Sequence, residues 1–122
     1  MGLRVPTWAA VPPGRADREL VPAWRPGTIN IIVSVPVPVP LRDAAYVNAV
    51  MTATEAKTQA VLEAGFRATG TATDAICVAA SAVGDPGDFA GPRSLWGARI
   101  ARAVHAAVHA GTLLYRAKAS PA

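Results

Sequence analysis

The segment GTINIIVSVPVPVP, residues 27–40, limits the folds open to this chain more than any other stretch. Side chains alternate between two sides over residues 28–35, which predicts a β-strand. One side carries Ile29, Ile31, Val33 and Val35, and the other carries Thr28, Asn30, Ile32 and Ser34. Pro36, Pro38 and Pro40 lack the amide hydrogen that a sheet ladder requires, so the chain must leave the sheet or run along its edge there.

A helix and a second strand are predicted after the prolines. The helix runs from Leu41 to about Ala64 and ends at Gly65, a residue type that commonly follows a last helical turn. The sequence AICVAA, residues 75–80, has the length and β-branching of a buried strand. The chain therefore returns to the sheet after the helix.

A second helix is predicted to begin after Ser94, which can cap it, and to end near Leu114. Its apolar residues follow i, i+4 spacing and are Trp96, Ile100, Val104 and Val108. The order strand, helix, strand, helix favours a parallel strand pair joined by a right-handed crossover. We therefore predict an α/β fold, a small sheet with helices packed on it.

The length of 122 residues suits one domain, because a unit of this size buries a single core. We predict an irregular proline-rich arm over residues 1–27, the α/β domain over residues 28–114 and a flexible tail over residues 115–122.

Helical geometry assigns two faces to the first helix. The sector predicted to face the core contains Val47, Val50, Met51, Val61 and Leu62, with Thr54 and Thr58 among them. A polar line with i, i+4, i+7, i+11 spacing follows the flank of this sector and consists of Asn48, Thr52, Glu55 and Gln59. We therefore expect a row of polar side chains beside the apolar face.

The composition argues against several classes of function. The net charge of +4 comes from 12 lysines and arginines that are spread along the chain, whereas nucleic-acid binding favours clustered basic and aromatic residues. No window reaches the roughly 18–20 uncharged apolar residues of a membrane span, and the N-terminus lacks the pattern of a signal peptide. We predict a cytoplasmic protein with no nucleic-acid and no membrane partner.

Cysteine and histidine give no reason to expect a metal or redox site. Cys77 is the single cysteine and falls in the predicted buried strand, so we expect it in the core. His105 and His109 have the i, i+4 spacing of two ligands on one helix, but no third ligand is evident and Arg102 lies on the same side. We interpret both as surface histidines and predict no metal and no cofactor.

The loop TGTATD, residues 69–74, is the first candidate for chemistry. Its glycine lets a ligand approach the backbone, and its hydroxyls and amides can donate hydrogen bonds to an oxyanion, a phosphate or a carbonyl oxygen. Alternatively, the loop is a plain turn whose threonines bond their own backbone. The pattern is not that of a phosphate-binding loop. Both interpretations stay open at this point.

Glu55 and Asp74 are the candidate carboxylates. Each can serve as an acid or a base, or can equally be a capping or surface residue. Lys57 lies about 160° around the helix from Glu55, so the two side chains face different sides. We expect Lys57 in solvent, with its stem over Val50 and Val61.

Four segments resemble, in order and spacing, the adenosylcobinamide amidohydrolase (CbiZ) family. They are GTINIIV, AVMTATEAKTQAVLEAG, ATGTATDAICVA and FAGPRSLWGARIARAVHAAV, and the likeness runs from about Pro6 to Gly111. It is strongest in TATEAK and TGTATD. The resemblance implies hydrolysis of the amide that joins the aminopropanol arm to the corrin ring of adenosylcobinamide, giving adenosylcobyric acid for cobalamin (vitamin B12) salvage.

A neutral amide is a poor electrophile, so this activity needs an activated water or nucleophile, an oxyanion donor and a proton for the leaving amine. Our hypothesis assigns Glu55 or Asp74 as the general base, and Thr71 with neighbouring amides as oxyanion or substrate donors. The other residues predicted to contact substrate are Asn30, Thr52, Lys57, Thr69, Gly70, Thr73 and Arg93.

The family's domain has further strands at its N-terminus, so we expect this chain to match the C-terminal portion and its sheet to be incomplete there. A sheet of two or three strands exposes an unpaired edge. A homo-oligomer or a partner chain is then expected to complete it. The alternative to the enzyme is a truncated, non-catalytic fragment that binds corrinoids.

Overall fold

The computed structural model describes residues 1–3, 7–10, 27–36 and 38–119. Within these ranges the elements are β1 (Asn30–Ser34), α1 (Asp43–Glu63), β2 (Ala75–Ala79) and α2 (Leu95–Ala119). The predicted α/β fold and its order are confirmed. Most of the proline-rich arm predicted over residues 1–27 lies outside the described ranges, as do residues 120–122. None of the described helices is long and apolar enough to cross a membrane.

The strands β1 and β2 pair in parallel, as predicted, with Asn30 opposite Ala75 and Ser34 opposite Ala79. The alternation in β1 also holds. Ile29, Val33 and Val35 are buried, whereas Ile32 is 81% exposed. The Val35 amide donates the last ladder bond, to the Ala79 carbonyl at 2.8 Å, and the pairing stops before the prolines, because proline has no amide hydrogen to continue it.

The buried face of α1 differs from the predicted one. Val47, Val50, Met51, Leu62 and Thr54 are exposed, and Val61 is the only apolar residue of the predicted sector that is buried. The buried residues of α1 are Ala45, Ala49, Thr52, Ala53, Ala56, Lys57, Ala60 and Val61.

Small side chains explain this difference. Apolar residues occur all around α1, so the spacing of its large residues does not define one face. A row of alanines lets α1 approach α2 and the sheet closely, and close approach maximises dispersion contacts. The larger valine, methionine and leucine side chains consequently point outward.

The end of α1 confirms the role predicted for Gly65. This glycine has φ +89°, and its amide donates to the Leu62 carbonyl at 2.9 Å. The Phe66 amide donates to the Val61 carbonyl at 3.2 Å. These two bonds form a Schellman motif, in which a left-handed residue after the helix satisfies its last carbonyls.

The helix α2 begins as predicted and ends later. The Gly97 amide donates to Ser94 Oγ at 3.1 Å, which makes Ser94 the N-cap. The predicted stripe is confirmed: Ile100, Val104 and Val108 are buried and Trp96 packs beside them. The prediction of a tail from residue 115 is wrong for residues 115–119, which are helical because Tyr115 still packs against the core.

One face of the sheet is bare within the described residues. Ala75, Cys77 and Ala79 are exposed and Ile76 is only half-buried, so the predictions of a buried second strand and a core cysteine are wrong. Cys77 lies opposite Ile32 in the register, at the centre of this face. Parallel sheets are normally covered on both faces, and here α1 and α2 cover only one.

Candidate functional site

Lys57 and Asp74 form a buried ion pair between α1 and the loop before β2. Lys57 Nζ lies 2.5 Å from Asp74 Oδ2, and the two side chains are only 9% and 10% exposed. The expectation that Lys57 is solvated is therefore wrong. Its ammonium is removed from water, and such a group is stable only when it is paired.

Asp74 accepts four hydrogen bonds. Its Oδ1 accepts from the Ile29 amide at 3.0 Å and the Thr71 hydroxyl at 2.5 Å, and its Oδ2 accepts from Lys57 and from the Thr71 amide at 3.1 Å. Burial by itself would raise the pKa of Asp74, but the hydrogen bonds from Lys57 and Thr71 outweigh it and hold that pKa below its ordinary value. Asp74 thus joins α1, β1 and the loop, and is poorly placed to take up a proton.

Gly70 makes this arrangement sterically possible. A Cβ atom at this position would lie 2.2 Å from Asp74 Oδ2 and 2.7 Å from Lys57 Nζ. Because real Cβ atoms do not approach other atoms so closely, only glycine fits against the ion pair without a shift.

The threonine hydroxyls of the loop all donate within the protein. Thr69 Oγ1 donates to the Thr7 carbonyl at 3.3 Å, and Thr73 Oγ1 donates to the Gly27 carbonyl at 3.2 Å. Thr71 Oγ1 donates to Asp74. A hydroxyl has one proton, so all three protons are engaged within the protein. Only the Thr71 bond lies inside the loop, whereas Thr69 and Thr73 bond the loop to the chain at Thr7 and Gly27.

An open cavity of about 320 Å³ lies between α1 and α2, on a different side of α1 from the ion pair. Its lining consists of Thr52, Glu55, Ala56, Gln59, Pro92, Ala101, Arg102 and His105. Thr52 is buried and donates to the Ala90 carbonyl at 2.7 Å, which fixes α1 against the segment before α2. Glu55 is exposed to this space.

The predicted site residues therefore fall into two groups. Thr52 and Glu55 line the cavity, whereas Lys57, Gly70, Thr71 and Asp74 form the buried cluster. Asp74 is not part of the cavity lining, so the cavity does not unite the two candidate carboxylates.

Four other predicted residues belong to neither group. Thr69 and Thr73 bond the loop to the N-terminal part of the chain. Asn30 is on the bare face of the sheet, where its Oδ1 lies 3.2 Å from Thr28 Oγ1. Arg93 is exposed in the turn that precedes α2.

The cavity contains charged residues that sequence analysis did not select. Arg102 and His105 come from α2 and line the same cavity as Glu55, which comes from α1. His105 Nε2 lies 2.6 Å from Glu63 Oε2, and its ring stacks on His109 with centroids 5.6 Å apart. In the sequence, His105 drew notice only through its i, i+4 spacing to His109, and that spacing was interpreted as a pair of surface histidines. The described residues contain no group of three or more side chains suited to a metal.

Comparison with known proteins places the chain in a family. Residues 1–120 match the sequence profile of the family described as adenosylcobinamide amidohydrolase. An adenosylcobinamide amidohydrolase of Methanosarcina mazei is 38% identical over 94 residues, which is 70% of this chain and 46% of the relative. An uncharacterized protein of Methanocaldococcus jannaschii is 38% identical over 100 residues, which is 75% of this chain and 38% of the relative.

The match extends over less than half the length of either relative. No solved structure matches the chain significantly. The family profile nevertheless covers nearly all of its residues, including TATEAK and TGTATD. The chain therefore belongs to the adenosylcobinamide amidohydrolase (CbiZ) family.

Proposed function

We propose that this chain hydrolyses the aminopropanol amide of adenosylcobinamide, giving adenosylcobyric acid for cobalamin salvage in the cytoplasm. Family membership supports the reaction class. The observation that supports this choice of site is that Glu55, Arg102 and His105 line one cavity that is open to solvent. A carboxylate, a guanidinium and an imidazole are groups suited to the three tasks of amide hydrolysis.

Glu55 is the proposed general base. Its carboxylate is exposed to the cavity, where it can take a proton from a water that attacks the amide carbonyl. Arg102 is the proposed oxyanion partner, because a guanidinium keeps its charge and presents several donors to a developing negative oxygen.

We propose a structural role for Asp74 in place of the role of general base that the sequence analysis considered. Its four hydrogen bonds and lowered pKa oppose proton uptake, and Lys57 already neutralises its charge. We assign Asp74, Lys57, Gly70 and Thr71 to fixing the loop against α1. Asn30, Thr69, Thr73 and Arg93 remain predicted substrate contacts.

The purified chain should be incubated with adenosylcobinamide, with released aminopropanol and the corrinoid acid separated and quantified. Wild-type protein is expected to release both in equal amounts, and Glu55→Gln to lose at least about 100-fold in rate, since a general base typically contributes 10²–10⁴-fold. Asp85→Asn, the same carboxyl-to-amide change at an exposed loop position, is the matched control. Corrinoid binding without product would support the non-catalytic alternative and refute the hydrolase.

Association with a second polypeptide is part of the proposal. The bare sheet face centred on Ile32 and Cys77 and the outer face of α1 both expose apolar residues. In a solution of the pure protein, a second copy of the chain is the polypeptide that can cover these apolar residues. We therefore propose a homo-oligomer that uses the sheet face.

A further inference from the structure

His105 and Glu63 form a hydrogen-bonded pair at the rim of the cavity. His105 Nε2 lies 2.6 Å from Glu63 Oε2, while Gln59 Nε2 donates to Glu63 Oε1 at 2.7 Å. Both carboxylate oxygens of Glu63 are thus engaged, one by each helix. His105 and Gln59 belong to the cavity lining, and Glu63 does not.

We propose that His105 is the proton-transfer group of this cavity and that Glu63 is its positioning residue. This inference rests on the proposed hydrolysis at the same cavity and adds the group that protonates the leaving amine. The observation that supports it is a pair of hydrogen bonds that links Gln59 to Glu63 and Glu63 to His105, which lines the cavity.

The contact with Glu63 determines which ring nitrogen is available. The hydrogen bond from Gln59 and then that with His105 lower the pKa of Glu63, so this carboxylate is ionised at neutral pH and can only accept. Nε2 of His105 must therefore carry a proton. Nδ1 is then the nitrogen that gains or loses the second proton, as in triads where a carboxylate fixes the tautomer of a histidine.

One further contact restricts the His105 ring. It stacks on His109 with an interplanar angle of 9°. The pair with Glu63 is partly exposed, with side chains 30% and 48% accessible. Partly exposed pairs contribute little to the free energy of unfolding. The main effect of Glu63 in this proposal is therefore to orient the His105 ring.

Charges of both signs face the ring. Glu63 comes from the last turn of α1, and Glu55 lines the same cavity from two turns earlier. Arg102 and His109 flank His105 on α2.

In the proposed step, the oxygen of a water molecule bonds to the amide carbon, and the proton that this water loses passes to Glu55. The carbon–nitrogen bond then breaks while the imidazolium of His105 gives its Nδ1 proton to the departing nitrogen. Glu55 releases its proton to solvent and His105 regains one, which leaves a carboxylic acid and an amine.

The test compares His105→Gln and Glu63→Gln with Lys118→Gln, an exposed control on the same helix. His105→Gln is expected to lower kcat for adenosylcobinamide at least about 100-fold. It should also abolish the fall in rate on the alkaline side, because no ring remains to deprotonate. Imidazole added to His105→Gln should restore part of the rate, which a purely structural role would not allow.

Nitrogen-15 NMR of the ring gives a readout that needs no activity. Neutral His105 is expected as the Nε2-protonated tautomer, and Glu63→Gln should remove that preference. An Nδ1-protonated ring, or a ring unaffected by Glu63→Gln, would overturn the proposal. So would an active wild type whose His105→Gln variant keeps its rate and pH profile, in which case the hydrolase itself would stand. If the wild type is inactive, the proposed hydrolysis is refuted. The tautomer then tests separately whether Glu63 positions the His105 ring.

Discussion

Glu55 and Lys57 are two positions apart on α1 yet face opposite sides of it: Lys57 is buried against Asp74, and Glu55 lines the cavity beside His105. At about 100° per residue this separation follows from helix geometry. The string TATEAK therefore places one side chain against the loop before β2 and another in the cavity. Each can be tested separately.

Breaking the buried ion pair should strongly destabilise the fold. Lys57→Met leaves the Asp74 carboxylate buried without its cation, and removing one partner of a buried pair costs about 3–5 kcal/mol. Urea unfolding followed by circular dichroism would measure the loss. The exposed pair Arg42 and Asp88, with side chains 64% and 60% accessible, is the control: Arg42→Met should cost less than about 1 kcal/mol. Equal losses for both variants would contradict a special role for Lys57.

Stability should fall in acid because of Asp74. Its pKa in the folded protein lies below the ordinary value of 3.8, so its stabilising contribution is present above pH 4 and is lost as the pH falls through the folded pKa. Asp74→Asn should be less stable than wild type at pH 6 and show a smaller further loss between about pH 4 and pH 2. Urea unfolding at several pH values checks this. Parallel curves for the two proteins would show that Asp74 does not carry the acid sensitivity.

Gly70→Ala should disturb the loop. The added methyl group would overlap Asp74 Oδ2, and overpacking of this kind typically costs about 1–3 kcal/mol. Gly91→Ala is the matched control, since a Cβ atom there meets nothing within 4 Å, and its effect should stay within about 0.5 kcal/mol. Thermal unfolding of both variants gives the comparison. A stable Gly70→Ala protein would mean that Lys57 and Asp74 are not held as described.

The bare sheet face should mediate self-association. Light scattering after size exclusion should give a mass above the 12.5 kDa of one chain, and Ile32→Lys should shift the protein towards the monomer. Val83→Lys changes a comparably exposed residue, 74% accessible, in a loop away from the strands, and should leave the mass unchanged. A monomeric wild type at high concentration would refute the homo-oligomer.

Local sequence determined the secondary structure. The alternation in β1, the prolines after it, Gly65 and the Ser94 cap each act through neighbouring residues, and each was predicted correctly. These features depend on backbone geometry within a few positions, which a single sequence records directly.

Only the tertiary structure decided what is buried and what is brought together. The alanine face of α1, the burial of Lys57 and the exposure of Cys77 depend on which surfaces meet, and residues as distant as Lys57 and Asp74 meet only after folding. The contact of His105 with Glu63 joins the two helices through residues that are 42 positions apart. Periodicity identifies which side chains share a face, but the free energy of packing selects the face that turns inward.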